Sequence, residues 1–399
     1  MATVSEGRQR LATRASAFVV TPQSKSRNGD VRIGLVVVAF VVLSLLVPQV
    51  SDAATPPSTA PAVTVAIGSP SAVAVPSTVL NPKHQPNDSL DVIPAGNQYT
   101  STSLRAATTA TGPWMVVWPT GTTSMAVSST PFPGSNEVTN SNGPLIPSSF
   151  TWDNGGGWVN SVYRLGGNSL VAFFHAEHHY GCTNSPPLLC PYATVNGKGD
   201  FWASGGVAYS NDNGQTWGPA AQFLTAAQPQ PATATLGGDN FQDVVWNFQA
   251  RQWVAFYGCH GGLSCEAISS DPMGRPGTWF NYVNGSFSQP ALGSDGTPLP
   301  GFAHIGGVLY SVQYDASLGV WVGWGREATT GGVYVTASSD LVNWSTPRQV
   351  FSGPMTMYPI MVGSEGTQVV GTTGLLYYVT GAEQGNPVLW SAPVSLALR

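Results

Sequence analysis

An all-β fold, a β-propeller of five four-stranded antiparallel blades, is what this sequence predicts, and three observations predict it. The first is composition. Charged residues make up only 9% of the chain, beside 46 Gly, 32 Pro and 10% aromatics. That balance favours strands and turns over helices. The second is texture: from about Leu80 onward, short apolar runs alternate with Gly, Asn, Asp and Pro, and no long 3.6-residue periodicity appears. Short strands at regular spacing build a sandwich, a barrel or a propeller. The third is repetition, which selects the propeller among these.

The repeated unit begins with an apolar strand and a turn, as at Val159–Tyr163 with Leu165–Asn168, and at Asp243–Trp246 with Phe248–Arg251. An aromatic strand follows, with copies at Leu170–Glu177, Trp253–His260, Val320–Glu327 and Leu375–Thr380. A third strand then ends in Ser/Asp and Trp: Gly206–Trp217, Cys265–Trp279 and Val333–Trp344, with an earlier copy at Ala106–Trp114 and a degenerate one at Val388–Val394. One such sheet cannot bury both of its faces, so the units stack around an axis. Copies of the third strand number five, hence five blades; the long stretch from Trp114 to Trp217 leaves room for a sixth.

Ahead of the repeats lie two other segments. Arg8, Arg10, Arg14, Lys25, Arg27 and Arg32 precede the uncharged apolar run Ile33–Val47, and Ser51-Asp52-Ala53 supplies small residues before Ala54. This reads as a secretory signal over 1–53, cut after Ala53. Its alternative is an N-terminal membrane anchor at 33–47, which is shorter than the ~20 apolar residues of a spanning helix. Either way the bulk of the chain is expected to be secreted or extracytoplasmic. Residues 54–80, rich in Ala, Pro, Ser, Thr and Val, read as a Pro-stiffened linker, and 81–399 as the propeller domain.

A net charge of −5, with no basic patch after the N-terminal segment, argues against a nucleic-acid partner. Membrane contact is expected only through an uncut N-terminal segment. The cysteines are Cys182, Cys190, Cys259 and Cys265, which allow three pairings. The short-loop pairs Cys182–Cys190 and Cys259–Cys265 are the economical choice in an oxidising compartment. Neither spacing is CxxC, which speaks against zinc. No cofactor and no metal are expected.

Ser210-Asn-Asp212-Asn-Gly214-Gln-Thr216-Trp217 matches in full the Asp-box of sialidase-like propellers, S-x-D-x-G-x-T-W. Its residues close a hairpin: Asp212 accepts turn N–H bonds, Gly214 takes unusual backbone angles and Trp217 packs between sheets. Asp212, Asp271 and Asp340 are therefore read as structural. Roughly residues 100–395 also resemble five-bladed glycosidases, such as glycoside hydrolase family 43 and its relatives, through Ser338–Pro347, Tyr358–Gly363 and Thr109–Trp114. The resemblance implies a carbohydrate ligand. Sialidase chemistry is disfavoured, because no Phe-Arg-Ile-Pro motif occurs and no arginine lies in such a context.

Glycoside hydrolysis takes two carboxyl groups flanking the scissile bond. In five-bladed glycosidases the acids sit near the starts of innermost strands; the matching positions here are roughly Asn160, Asp243, His304 and Tyr358, and only Asp243 is acidic. Asp239, four residues earlier, shares its strand face if the strand extends. His175 and Glu177 share a face at the polar end of an apolar strand, while His178 points away. The expected pair is Asp243, with Asp239 nearby, as base or nucleophile and Glu177 as acid. His175, His304, Asn160 and Tyr358 are expected to hold substrate. The alternative is a non-catalytic glycan-binding or surface propeller that has lost its acids.

Overall fold

Alternating apolar runs punctuated by Gly and Asn turns fold as twisted antiparallel sheets in the computed structural model. It describes residues 60–73, 91–94, 114–120, 122–128, 132, 146, 151–180, 194–195, 198–199, 201–233, 235–259, 263–299, 307–327, 331–353, 356–381 and 388–399. All of these fall in the unit Thr55–Arg399. Among the described residues there are strands, bridges and turns but no helix, so none long and apolar enough to cross a membrane. The run Ile33–Val47 and the signal segment lie outside the described residues.

Four five-stranded sheets form a β-propeller arrangement. Sheet I runs Gly156–Gly166, Ser169–His179, Phe201–Ser210, Ala221–Leu224, with Gly237–Gly238 added in parallel beside Phe201–Ser210. Sheet II is a meander of Asn240–Asn247, Gln252–Cys259, Leu263–Ser269, Trp279–Val283 and Ser286–Pro290. Sheet III runs Gly307–Asp315, Val320–Glu327, Val333–Ser338, Arg348–Phe351, with Val369–Val370 parallel to its first strand. Sheet IV runs Thr356–Val362, Thr373–Thr380, Val388–Leu398 and then Val63–Ile67, with Ser71–Ala72 also paired to Val388–Leu398.

Two features depart from the expected layout. Four blade-sized sheets are described rather than five; the remaining larger sheet has three strands, Asp91–Pro94, Trp114–Thr120 and Thr122–Ser128, and lies beside Gly156–Gly166. Trp114 opens a hairpin strand there instead of ending a third strand, while 106–113 lies outside the described residues. In the stretch expected as linker, Val63–Ile67 is an antiparallel strand in register with the last one, Val63 opposite Leu398 and Ile67 opposite Val394. Val63, Val65 and Ile67 put β-branched side chains on one face, and these pack with Val394 and Leu396.

Alternation along Ser169–His179 sorts the two faces of sheet I. Leu170, Ala172 and Phe174 pack away from sheet II with Trp217 and Trp152, whereas Val171 and Phe173 pack into sheet II with Phe223, Phe241 and Trp253. The Phe173 ring lies 5.3 Å from that of Trp253 and 5.7 Å, edge-on, from that of Trp279. Trp246 and Trp324 are core residues of this kind, committed to packing between sheets.

The first strand of each of the four described five-stranded sheets carries a bulge, between Val159 and Ser161, Phe241 and Asp243, Leu309 and Ser311, and Met357 and Ile360. A bulge inserts one unpaired residue and bends the strand. Around it the blades are tied in sequence. Ser161 Oγ donates to Asp243 Oδ1 at 2.6 Å, Val312 N donates to Asp243 Oδ2 at 2.7 Å, and Ser311 Oγ donates to the Pro359 carbonyl at 2.7 Å.

At the outer turns, Ser210 Oγ donates to Asp212 Oδ1 (2.8 Å), Gly214 N donates to Ser210 Oγ (2.9 Å), and Thr216 donates through its backbone and hydroxyl to Asp212 at 2.8 and 2.5 Å. Gly214 has φ 84°, where a Cβ is strained, and Trp217 is buried. The Thr216 hydroxyl bond above all holds Asp212 down to a pKa of about 2. Asp271 and Asp340 accept backbone N–H bonds in their own turns, from Arg275 at 2.9 Å and Asn343 at 2.7 Å. Cys259 and Cys265 are disulfide-bonded, with Cα atoms 5.8 Å apart, across the hairpin of sheet II; Cys182 and Cys190 lie outside the described residues. Replacing both Cys259 and Cys265 by Ser is expected to lower stability by about 2 kcal/mol, the chain entropy of so short a loop. Urea denaturation of the double variant against the parent measures it.

Candidate functional site

The polar end of Ser169–His179 keeps the alternation of the strand. His175, Glu177 and His179 therefore share the face that looks toward sheet II, and all three are buried. His175 Nε2 lies 3.1 Å from Glu177 Oε1, and His179 Nε2 2.7 Å from Oε2. The carboxylate is clamped at both oxygens, with Glu177 only 7% exposed. Burial pushes its pKa up, but the hydrogen bonds and charges of the two histidines outweigh this and hold it below the usual carboxylate range. Trp158 tilts over His175 at 5.5 Å between ring centres, and Phe201 lies 6.4 Å from both imidazoles. Asn160, at the bulge, accepts a bond from His175 N at 3.0 Å. His178 points to the other face and bonds the Thr151 carbonyl at 2.8 Å; burial pushes its pKa down.

Asp239 stands at the same level. Glu177 pairs with Ala203, and Ala203 pairs on its other side with Gly238 and accepts the Asp239 N–H at 3.1 Å. Two interstrand spacings separate Glu177 from Gly238, on the order of 10 Å between Cα atoms. Only glycine fits at 238: φ is 85°, and a Cβ would meet the Ala203 carbonyl at 2.1 Å. Asp239 is 2% exposed, and its Oδ2 has no hydrogen-bond partner among the described residues. Burial, with a smaller push from Asp295, raises its pKa to about 8. The two acids at this rim are thus driven in opposite directions.

Asp243 sits elsewhere. Its carboxylate accepts from Ser161, from Val244 N at 2.8 Å and from Val312 N, which links sheets I, II and III at the bulge level. Glu177 lies opposite Gly156, four paired steps from Ser161, or on the order of 13 Å along the strand. Asp243 and Glu177 are therefore not brought together; the bulge has turned the one acid at an inner-strand start into a joint between blades. Tyr358 occupies the bulge of sheet IV at φ 56°, its ring edge-on to Tyr310 at 5.2 Å. His304 lies outside the described residues.

The sequence reading missed His179 and Asn154. His179 was within reach, since the period-2 rule that joins His175 to Glu177 extends to it. Asn154 carried only a turn signal. It also missed Glu266, 1% exposed, which faces sheet III between Ser264 and Ile268 on the strand Leu263–Ser269, with Oε2 unpartnered among the described residues. Ser264 Oγ accepts Leu309 N across that seam at 2.8 Å, and Phe256, paired with Glu266, meets Trp344 at 5.8 Å. Burial, and then the charge of Asp340, push the Glu266 carboxyl well up.

No protein-family model matches the chain, and no curated protein matches it. Among solved structures it is similar to the endo-1,5-α-L-arabinanase of Thermotoga petrophila RKU-1, with 14% identity over 78% of this chain and 72% of that one, TM-score 0.45. It is also similar to a family 117 glycoside hydrolase of the marine bacterium Zobellia galactanivorans, at 11% identity over 84% and 85%, TM-score 0.40. A Dyadobacter fermentans protein of unknown function is similar at 12% identity over 84% and 99%, TM-score 0.42.

Proposed function

We propose that this chain is an exported, carbohydrate-active propeller that hydrolyses glycosidic bonds with Glu177 and Asp239 as its carboxyl pair. One observation carries this: two buried acids at the same rim, either side of Ala203, with proton affinities pushed apart by their surroundings. Acid/base partners are set in this way. Glu177, ionised by its two histidines, takes the proton of the attacking water; Asp239, protonated up to a pKa of about 8, gives its proton to the leaving oxygen. These roles reverse the sequence expectation for Glu177. Inversion needs carboxyl groups ~6.5–9.5 Å apart with a water between them, and two interstrand spacings separate Glu177 from Gly238, the residue before Asp239. Trp158 and Phe201 offer aromatic faces for a sugar ring. The three-stranded sheet beside Gly156–Gly166 is assigned as a fifth blade, and export rests on the segment 1–53, as cleaved signal or as retained anchor.

The burial of both carboxyls and the structural engagement of Asp243 favour a second reading, a glycan-binding propeller without turnover. A glycan-array screen followed by a reducing-sugar assay separates the two. Under the hydrolase reading Glu177→Gln and Asp239→Asn each lower kcat at least ~100-fold, the range of a lost general acid or base, and leave glycan binding in place. Binding by the parent protein with no release of reducing ends establishes the second reading.

A further inference from the structure

If Glu177 is the ionised member of the pair, the loop in front of the inner strand of sheet I acquires a purpose. The pairing of Gly156–Gly166 with Ser169–His179 ends at Gly156 opposite Glu177, so His178 and His179 overhang the first strand. A side chain takes its place. Asn154 Nδ2 donates to the His179 carbonyl at 3.1 Å, and Asn154 Oδ1 accepts the His179 N–H at 2.7 Å. An amide carries both a donor and an acceptor, so one Asn can serve as a strand partner. Between these contacts Gly155 N donates to the Glu177 carbonyl at 2.9 Å. Gly155 also lies directly against the imidazole: a Cβ there would stand 2.2 Å from Cδ2 and 2.4 Å from Cγ of His179. No side chain fits at 155 while the ring stays where it is.

We propose that His179 is the positioning residue for Glu177, and that Asn154 and Gly155 form a latch that seats its imidazole on the carboxylate. His175 is held separately, through Asn160 and Trp158, and its contact with Glu177 is the longer, 3.1 Å against 2.7 Å. The ionisable groups around Glu177 are few. They are His175 and His179 on its own face of the strand, His178 on the other face and Asp153 in the loop; Asp239 follows Gly238, two strands away. From the next strand of sheet I, Phe201 contributes only an aromatic ring to the two imidazoles. His179 thus holds Oε2 in a fixed direction and favours the charged form, as a close charge-assisted donor does.

The test titrates Glu177 itself, by carbon-13 NMR of glutamate labelled at Cδ, with Glu177→Gln to assign the signal. Variants are His179→Phe, His179→Gln, which keeps an N–H donor, Asn154→Ala and Gly155→Ala. Near-UV circular dichroism monitors the fold. The titration midpoint of Glu177 is expected to rise by about one pH unit or more in His179→Phe, the scale of losing one close partner, and to return partway in His179→Gln. Asn154→Ala and Gly155→Ala are expected to move it in the same direction although His179 is still present. On any glycan that is turned over, the acid limb of the pH–rate profile moves with the midpoint while KM stays constant. An unchanged midpoint in His179→Phe and in both latch variants overturns the proposal. Absence of turnover on every glycan overturns the hydrolase reading alone, because the carboxyl titration is measured without substrate.

Discussion

Asp243→Ala is expected to destabilise the propeller by about 4 kcal/mol, from buried donors losing their acceptor at ~1–3 kcal/mol each. Three donors meet its carboxylate: Ser161 Oγ, Val244 N and Val312 N. Val244 N keeps an acceptor, since it also donates to Ser161 Oγ at 3.0 Å. The loss therefore falls on the Ser161 hydroxyl and on Val312 N, and so on the union of sheets I, II and III. Asp243→Asn retains one acceptor and should cost about half as much. Urea unfolding of both variants decides the matter. Lost turnover at unchanged stability would instead return Asp243 to the catalytic role expected from the sequence.

Glu266→Gln is expected to stabilise the protein, and increasingly so as pH rises. Glu266 lies in the apolar seam between sheets II and III, where burial first and Asp340 second push its pKa well up. The folded state binds a proton that the unfolded chain has released, so unfolding is favoured by alkali. The contribution of the protonated carboxyl is fully present below the ordinary glutamate value of 4.5 and is lost as pH rises toward the folded pKa. The loss runs at about 1.4 kcal/mol per pH unit across that window. Glutamine keeps the shape and removes the proton, so the variant should show a flatter pH–stability curve and its greatest advantage in alkali. Parallel curves for the two proteins between pH 5 and pH 9, as round experimental limits of about four units, would show that Glu266 does not titrate with unfolding.

Much of the fold was legible because it is written locally. The aromatic strands, the Gly and Asn turns and the Ser/Asp…Trp endings repeat with a period, and each specifies a hairpin from its own residues. The alternation that set His175 and Glu177 on one face was also legible. Other features depend on partners distant in the chain. The bulge that carries Asp243 to the level of Ser161 and Val312 leaves no mark in the sequence, so an inner-strand acid looked like a catalyst. The raised proton affinity of Asp239 comes from burial and, to a smaller extent, from the charge of Asp295, more than fifty positions away. The strand Val63–Ile67 sits in an Ala/Pro/Thr-rich stretch that reads as linker, since its partner is the last strand of the chain.

That last pairing bears on how the molecule is made. Thr64 bonds to Ala397 across a separation of 333 residues. Translation delivers Val63–Ile67 long before its partner strand Val388–Leu398. Until Val388–Leu398 is made, a nascent chain carries a β-branched strand without its sheet IV partner, the kind of edge that invites wrong partners. Closing so long a loop is slow, because its entropy is lost before any contact repays it. A product truncated before Val388 would keep two open edges, on Thr373–Thr380 and on Val63–Ile67. The seam thus makes sheet IV depend on two strands made far apart in time, Val63–Ile67 and Val388–Leu398.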